Sequence, residues 1–155
     1  MKILMVCLGN ICRSPLAEGI LSKKLEKKGI QAVVDSAGLA SYHVGEKPDP
    51  RTIKNALQHG LDLSMKRARQ FRMNDFESFD LIYCADKSIL DALRSMAQTP
   101  EHISKIKLMT EEAYPRQMIE VPDPYYGTES DFEKVFQLLD ISCEAIIKKH
   151  FEEKS

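Results

Sequence analysis

The first fifteen residues predict a buried strand, a tight loop and the start of a helix. The apolar run at residues 3–6 is typical of a buried strand, and it leads into a loop from Cys7 to Ser14 before Pro15 opens a helical pattern. The backbone N–H groups of such a loop, together with the positive end of the helix dipole, attract an anion. The segment therefore predicts an anion-binding loop at the carboxyl end of the first strand.

The rest of the chain alternates strands with helices. Strands are predicted at residues 32–35, 80–84 and 106–108, and helices at 15–28, 52–59, 88–97 and 131–150. This alternation predicts an α/β protein with a three-layer doubly wound fold, in which helices cover both faces of a four-stranded parallel sheet. The length fits one domain over residues 1–155. Such sheets bind ligands beyond the carboxyl ends of their strands, where the pattern places Cys7.

The loop carries the groups that phosphoryl transfer through cysteine requires. The field of the loop favours the thiolate form of Cys7, which would be the nucleophile. Arg13 follows after five intervening residues and offers a planar fork that matches phosphate oxygens. Gly9 and Asn10 permit the backbone conformations that a tight loop needs. We expect the backbone N–H groups of residues 8–13 to hold the anion.

Two further features of the loop limit its chemistry. Ser14 precedes a proline and is predicted to be the N-cap of the first helix, although its hydroxyl could instead donate to the Cys7 sulfur. The Lys-Ser/Thr ending of nucleotide-binding loops is absent, so neither nucleotide nor Mg²⁺ is implied. The four cysteines lack the paired spacing of a zinc site. We predict neither a metal nor a cofactor.

Composition excludes two classes of partner. The net charge of −1 gives no reason to expect nucleic acid, and no apolar stretch approaches the length of a membrane span. Because the N-terminus runs straight into the first strand, we expect no signal peptide before Cys7. Because a thiolate nucleophile needs a reducing compartment, we expect the protein in the cytoplasm. The sequence leaves the oligomeric state open.

The loop Cys7-Leu8-Gly9-Asn10-Ile11-Cys12-Arg13-Ser14 resembles the signature of the low-molecular-weight protein tyrosine phosphatases. A second matching motif is Asp123-Pro124-Tyr125-Tyr126-Gly127, and weaker matches at 35–38, 48–51 and 68–70 follow the family's order over nearly the whole chain. The resemblance implies hydrolysis of phosphotyrosine proteins, phosphotyrosine peptides and small aryl phosphates. The reaction would pass through a cysteinyl-phosphate intermediate and release inorganic phosphate, with no cofactor.

The resemblance also implies roles for individual residues. Asp123 would protonate the leaving oxygen and then activate water. Ser36 and His59 would brace the loop through Asn10, and Lys66 stands where many relatives carry histidine. The residues expected to contact the substrate are Leu8, Gly9, Asn10, Ile11, Cys12, Ser14, Tyr42, Tyr125 and Tyr126.

Three alternatives share this sequence pattern. An arsenate reductase would need resolving cysteines, and Cys84 has no partner cysteine within residues 86–98. A protein-arginine phosphatase would favour a small polar residue where Ile11 stands. A non-enzymatic anion-binding module would be expected to lose a catalytic residue, yet Cys7, Arg13 and Asp123 are all present.

Overall fold

A computed structural model describes residues 1–152. The strands are β1 (Lys2–Cys7), β2 (Val33–Gly38), β3 (Leu81–Cys84) and β4 (Ile106–Leu108). The helices are α1 (Arg13–Lys27), α2 (Pro50–Gln58), α3 (Asp75–Ser78), α4 (Lys87–Met96), α5 (Pro100–Lys105) and α6 (Glu129–Ile147), and a π-helical turn, Lys148–Glu152, continues α6.

All four strands are parallel and lie in the order β2-β1-β3-β4. The predicted doubly wound α/β fold is therefore confirmed. The chain passes from β1 to β2 on one side and from β3 to β4 on the other, so the direction of winding reverses between β1 and β3. Open α/β sheets form their ligand crevice at such a reversal, beyond the carboxyl ends of the strands. Cys7 ends β1 at this point.

The core lies on both faces of the sheet, as the period of the strand dictates. Ile3 and Met5 pack with α1 and α6 on one face, while Leu4 and Val6 pack with α4 on the other. All four side chains are fully buried, and burial of one such side chain contributes about 1.5–3 kcal/mol. No helix within residues 1–152 is long and apolar enough to cross a membrane.

The start of α1 differs from the prediction. The helix begins at Arg13, with Cys12 in the N-cap position, so the prediction of Ser14 as N-cap is wrong. Ser14 lies inside the first turn, and its hydroxyl contacts the Cys7 sulfur and Asn10 instead. The second helix also begins two residues before the predicted start, because Asp49 accepts a hydrogen bond from the Arg51 amide at its N-cap.

The structure contains two short helices that the sequence analysis missed. The helices α3 and α5 have only 4 and 6 residues, too few to show a helical period in the apolar residues. The strand β2 also runs on to Gly38, beyond the predicted end at residue 35. This extension carries β2 alongside the anion-binding loop.

Candidate active site

The loop after β1 turns its carbonyl groups outward. Leu39 donates to the carbonyl of Cys7 over 2.9 Å, Ala40 to that of Leu8 over 2.9 Å, and Asp49 to that of Ile11 over 2.8 Å. Within the described part of the chain, the amide groups of residues 8–13 have no acceptor. The loop therefore presents a concave row of N–H donors at the positive end of α1, a geometry that suits a tetrahedral anion.

Asn10 holds this loop in shape. Its φ of 58° lies in the left-handed region, which asparagine tolerates better than most residues. Its Nδ2 donates to Ser14 Oγ over 2.7 Å and to Ser36 Oγ over 3.0 Å, while its Oδ1 accepts from the Arg69 amide over 3.0 Å. The side chain is buried and its hydrogen-bonding groups are occupied, so it fixes the loop against β2 and the segment after α2.

The end of β2 is shaped to receive the loop. A Cβ on Gly38 would stand 3.0 Å from the amide nitrogen of Asn10 and from the carbonyl oxygen of Leu8. Both neighbours are backbone atoms, and such a contact is tighter than nearly all real Cβ contacts, so glycine permits the close approach of the loop. Ser36 and Gly38 therefore explain the weaker motif at residues 35–38.

Cys7 lies at the base of the cavity and is paired with a hydroxyl. Its Sγ lies 3.0 Å from Ser14 Oγ. That hydroxyl already accepts a hydrogen bond from Asn10, so its own proton can point at the sulfur, which is nearer than the Ala37 carbonyl at 3.5 Å. Cys12 lies in the same loop, and burial raises the pKa of its thiol to about 12.

Two hydrogen-bond acceptors hold the guanidinium of Arg13 in place. Its Nη1 donates to Asp86 Oδ2 over 2.8 Å and to the Val121 carbonyl over 2.9 Å, and its Nη2 lies 3.9 Å from Asp123 Oδ2. Burial alone would raise the pKa of Asp86, but hydrogen bonds from Ser88 and Arg13 hold that pKa below its usual value. Asp86 is therefore an anion that orients the guanidinium of the buried Arg13.

A cavity of about 310 Å³ opens above Cys7 and Arg13. It is lined by Cys7, Leu8, Gly9, Ile11, Cys12, Arg13, Tyr42, His43, Asp123, Tyr125 and Tyr126. The structure thus brings the three proposed catalytic residues together with most of the proposed substrate contacts. Asn10, Ser14 and Ser36 lie beneath the loop and brace it.

The aromatic residues form the rim of this cavity. The Tyr125 and Tyr126 rings meet edge to face with centroids 5.0 Å apart, and Tyr126 is 97% exposed. Tyr42 is also largely exposed. These rings stand at the mouth, where they offer apolar walls to an entering phenyl ring.

Sequence analysis missed two residues of the site. Asp86 follows the end of β3 by two residues, at the same edge of the sheet as Cys7, and this position was an available signal. His43 lines the cavity and pairs through Nδ1 with Glu46 over 2.8 Å. Only its adjacency to Tyr42 hinted at this placement.

Arg51 links the loop to the acid-bearing segment. Its side chain donates two hydrogen bonds to Asp49, of 2.8 and 3.0 Å, and its guanidinium lies 5.4 Å from the centroid of the Tyr125 ring. On its other side it lies 4.7 Å from the Phe132 ring in α6. Since the Asp49 amide also donates to the Ile11 carbonyl, these contacts explain the weaker motif at residues 48–51.

His59 does not brace the loop, and that prediction is wrong. Its Nε2 lies 2.8 Å from Glu133 Oε1 and its ring stacks on Phe136 at 3.7 Å, so it joins α2 to α6. The bonds of the Asn10 side chain go to Ser14, Ser36 and Arg69 instead.

The bracing network continues outward through Ser36 and ends at Lys66. Ser36 Oγ donates to Glu18 Oε1 over 2.7 Å, and the other oxygen of Glu18 pairs with Lys66 Nζ. Lys66 therefore supplies the cation at the outer end of the network, which runs inward through Asn10.

We expect Lys66→Ala to lower the stability of the protein by about 1–2 kcal/mol, between the values typical of exposed and buried ion pairs. The Glu18 side chain is only 14% exposed and would lose its cation. Lys66→His should recover most of the loss, since imidazolium can also donate to Glu18. Thermal or denaturant unfolding measures the change.

The matched control for this prediction is Lys54→Ala, which removes an ion pair with Glu129 whose side chains are 62% and 80% exposed. That change should cost less than about 0.5 kcal/mol. If Lys66→Ala and Lys54→Ala had equal midpoints of unfolding, the Lys66–Glu18 pair would not support the loop.

Comparison with known proteins agrees with this geometry. The sequence model described as "Low molecular weight phosphotyrosine protein phosphatase" matches residues 2–155. The enzyme of that name from Sus scrofa is 40% identical over 151 residues, which cover 96% of this chain and 94% of the relative. The crystal structure of a protein tyrosine phosphatase from Entamoeba histolytica superposes with a TM-score of 0.92 at 36% identity, covering 98% and 97% of the two chains. A Drosophila arginine phosphatase superposes with a TM-score of 0.91 at 35% identity over 100% of both chains. The chain belongs to the low-molecular-weight phosphotyrosine protein phosphatase family.

Proposed function

We propose that the protein hydrolyses phosphotyrosine in proteins and peptides, and small aryl phosphates, through a cysteinyl-phosphate intermediate. The observation that carries the proposal is the convergence of Cys7, Arg13 and Asp123 on one cavity above a row of free N–H donors. A thiolate nucleophile, a fixed guanidinium and a carboxyl group are the three parts that this reaction needs.

In the first step, Cys7 Sγ attacks phosphorus from below. The S–P bond forms as the bond from phosphorus to the tyrosine oxygen breaks, and Asp123 gives that oxygen its proton. The N–H groups of residues 8–13 and the Arg13 guanidinium hold the equatorial oxygens as charge spreads over them.

In the second step, Asp123 is a carboxylate and takes a proton from water. The water oxygen attacks phosphorus, the S–P bond breaks, and inorganic phosphate leaves with the Cys7 thiolate restored. The guanidinium and amide groups stabilise the negative charge of the phosphate in both steps, so the scheme needs neither a metal nor a cofactor.

The shape of the cavity supports phosphotyrosine over phosphoserine. Its mouth is lined by Tyr42, Tyr125 and Ile11, and a phosphate must pass these side chains to reach the buried sulfur of Cys7. The long, flat side chain of phosphotyrosine spans that depth and packs against the apolar walls, whereas phosphoserine is too short.

Two alternatives on the same scaffold are distinguishable. The likeness to the Drosophila arginine phosphatase keeps phosphoarginine as a second candidate substrate. Arsenate reduction has less support, because Cys84 and Cys143 are fully buried and burial raises the pKa of both thiols well above the usual range.

We place the protein in the cytoplasm, since all four cysteines are free thiols.

The test is a rate panel of phosphotyrosine, phosphoserine, phosphoarginine and arsenate, with and without Ile11→Thr. Ile11 presents a branched apolar surface that suits a phenyl ring and leaves a guanidinium poorly solvated. We expect phosphotyrosine to be preferred, and Ile11→Thr to shift the ratio of kcat/KM toward phosphoarginine by roughly tenfold. Ile11→Val should leave the ratio unchanged. A preference for phosphoarginine in the unmodified protein would contradict the substrate assignment but not the chemistry.

A further inference from the structure

A second cavity lies beside the edge strand β4, between α4 and α6. Its volume is about 660 Å³, against about 310 Å³ for the cavity above Cys7. Apolar residues that include Leu90, Leu108 and Met118 line part of it, and basic residues line the rest. We call it the β4-edge cleft. Its size lies within the range of sites that hold a ligand or a short segment of chain.

The rim of the β4-edge cleft is cationic. Arg94, Arg116, Lys148 and Lys149 line it and are exposed, and within residues 1–152 none of the four pairs with a carboxylate. A protein of net charge −1 thus concentrates four exposed cations around one cavity. Such a cluster produces a local positive field that attracts acidic partners.

The two acidic residues of the β4-edge cleft are already engaged. Glu112 is 6% exposed, accepts from the Tyr83 hydroxyl over 2.5 Å, and pairs with Lys107 over 3.4 Å and with His150 over 3.2 Å. Glu111 accepts a hydrogen bond from the Arg116 amide over 2.9 Å. Two carboxylates thus face five cations, since Lys107 also lines the β4-edge cleft, and the lining keeps a net positive charge.

Backbone strain is found at the β4-edge cleft as well as at the anion-binding loop. The described chain has three non-glycine residues with positive φ, namely Asn10 at 58°, Arg116 at 63° and Met118 at 53°. The first belongs to the anion-binding loop, and the other two present their side chains to the β4-edge cleft. Strained residues of this kind cluster at ligand sites, where the conformation serves the site at the expense of stability.

The β4-edge cleft is within reach of the catalytic cavity. Its strained segment leads to Val121, whose carbonyl holds Arg13, and Asp86 begins the helix that carries Arg94. β4 lies two strands from β1, roughly 10 Å across the sheet. Along the strands the separation is larger, because Arg94 lies roughly 12 Å along α4 from Asp86, and Lys148 follows the 19 residues of α6, roughly 28 Å in length. An extended segment of roughly five to ten residues, at roughly 3.3 Å each, spans the distance to this rim.

We propose that the β4-edge cleft binds an acidic, extended segment of the phosphoprotein substrate while its phosphotyrosine occupies the cavity above Cys7. The proposal rests on the proposed function for the identity of the substrate. The cationic rim pairs with aspartate and glutamate side chains, and the apolar floor receives a hydrophobic side chain between them. The β4-edge cleft thus adds affinity for acidic substrates without taking part in the chemistry.

The direct test is binding of a fluorescent peptide of aspartate, glutamate and leucine that lacks phosphotyrosine, measured by anisotropy. Vanadate occupies the Cys7 loop throughout, so that binding there does not contribute. We expect Arg94→Ala combined with Lys148→Ala to raise the Kd about 3- to 10-fold, and added salt to weaken binding of the unmodified protein. Lys134→Ala, an exposed position of α6 outside the β4-edge cleft, is the matched control and should change nothing.

Arg116→Gly separates binding from folding. Glycine adopts positive φ without strain, so the melting temperature should stay equal or rise, while the Kd should still increase because a cation is lost. A binding defect without a stability defect is the expected signature. An unchanged Kd in both Arg116→Gly and the double variant would overturn the proposal.

Kinetics separate this proposal from the proposed function. With phosphotyrosine peptides that carry either an acidic or a neutral tail, the double variant should raise KM for the acidic peptide alone and leave kcat and aryl phosphate hydrolysis unchanged. No hydrolysis of any phosphotyrosine peptide by the unmodified protein would refute the proposed function, with the anisotropy result standing. Equal KM values of the unmodified protein for the two peptides would refute docking of an acidic segment in the β4-edge cleft.

Binding to anionic phospholipid vesicles tests the other kind of partner. Vesicles that bind more tightly than the acidic peptide, with that binding lost in the double variant, would assign the β4-edge cleft to a membrane surface instead.

Discussion

Replacing Cys7 by serine is expected to abolish hydrolysis of aryl phosphates while leaving vanadate binding in place. The anion is held chiefly by backbone N–H groups and Arg13, which the substitution does not touch. The serine hydroxyl is a far weaker nucleophile than a thiolate, and loss of a nucleophile of this kind costs about 10⁴–10⁶ in kcat. Steady-state rates with an aryl phosphate, and vanadate titration followed by protein fluorescence or calorimetry, give the two quantities.

The control for this experiment lies in the same loop. Cys12 is a buried thiol whose pKa burial raises to about 12, so it stays protonated and takes no part in the attack. Cys12→Ser should therefore retain kcat within about tenfold of the unmodified protein. Substantial turnover by Cys7→Ser would end the covalent mechanism, and equal loss in Cys12→Ser would show that the loop tolerates no hydroxyl.

The parts of the fold and site that the sequence predicted are those governed by local chemistry. The strand, loop and helix at the N-terminus follow from a short apolar run and a proline, and the left-handed Asn10 follows from the tolerance of its side chain. The parallel order of the sheet follows from alternation of elements. None of these inferences needed a contact distant in sequence.

The parts that the sequence missed depend on such contacts. Asp86 and His43 reach the site, and Glu18 reaches the network that braces it, only because the folded sheet brings separate segments together. The predicted role of His59 is wrong for the same reason. Its ring contacts Glu133 and Phe136 of α6, which are distant in sequence and cannot be recognised from the local pattern.

Ser14 shows a different limit of sequence reasoning. Its position before a proline fits an N-cap, and its hydroxyl also fits a partner for the Cys7 sulfur. The structure places Ser14 inside the first turn of α1, where its hydroxyl contacts the Cys7 sulfur and accepts from Asn10 instead of capping the helix. The choice follows from the tight curl of the loop, which starts α1 at Arg13 and turns Ser14 inward.

Asp123→Ala should slow the first chemical step by about 10²–10⁴ for a substrate with a poor leaving group. The Asp123 carboxyl lies at the cavity wall, with Oδ2 3.9 Å from Arg13 Nη2 and Oδ1 accepting from the Tyr125 amide over 3.1 Å. Prolines on both sides stiffen its backbone, so the side chain is held where a leaving oxygen would emerge. Without its proton, a phenolate of high pKa must leave as an anion.

The dependence on the leaving group is what identifies the acid. The parameter to measure is kcat/KM, because it reports the steps up to cleavage of the aryl ester and excludes the later hydrolysis of cysteinyl phosphate. Across a series of substituted phenyl phosphates, kcat/KM of Asp123→Ala should fall steeply as the pKa of the phenol rises, and it should approach the value of the unmodified protein for an activated phenol that leaves unaided. Asp91→Asn removes an exposed carboxylate from α4 outside the cavity and should show the shallow dependence of the unmodified protein. If Asp123→Ala lowered kcat/KM by the same factor for all the phenyl phosphates, Asp123 would position Arg13 or the substrate and would not be the proton donor.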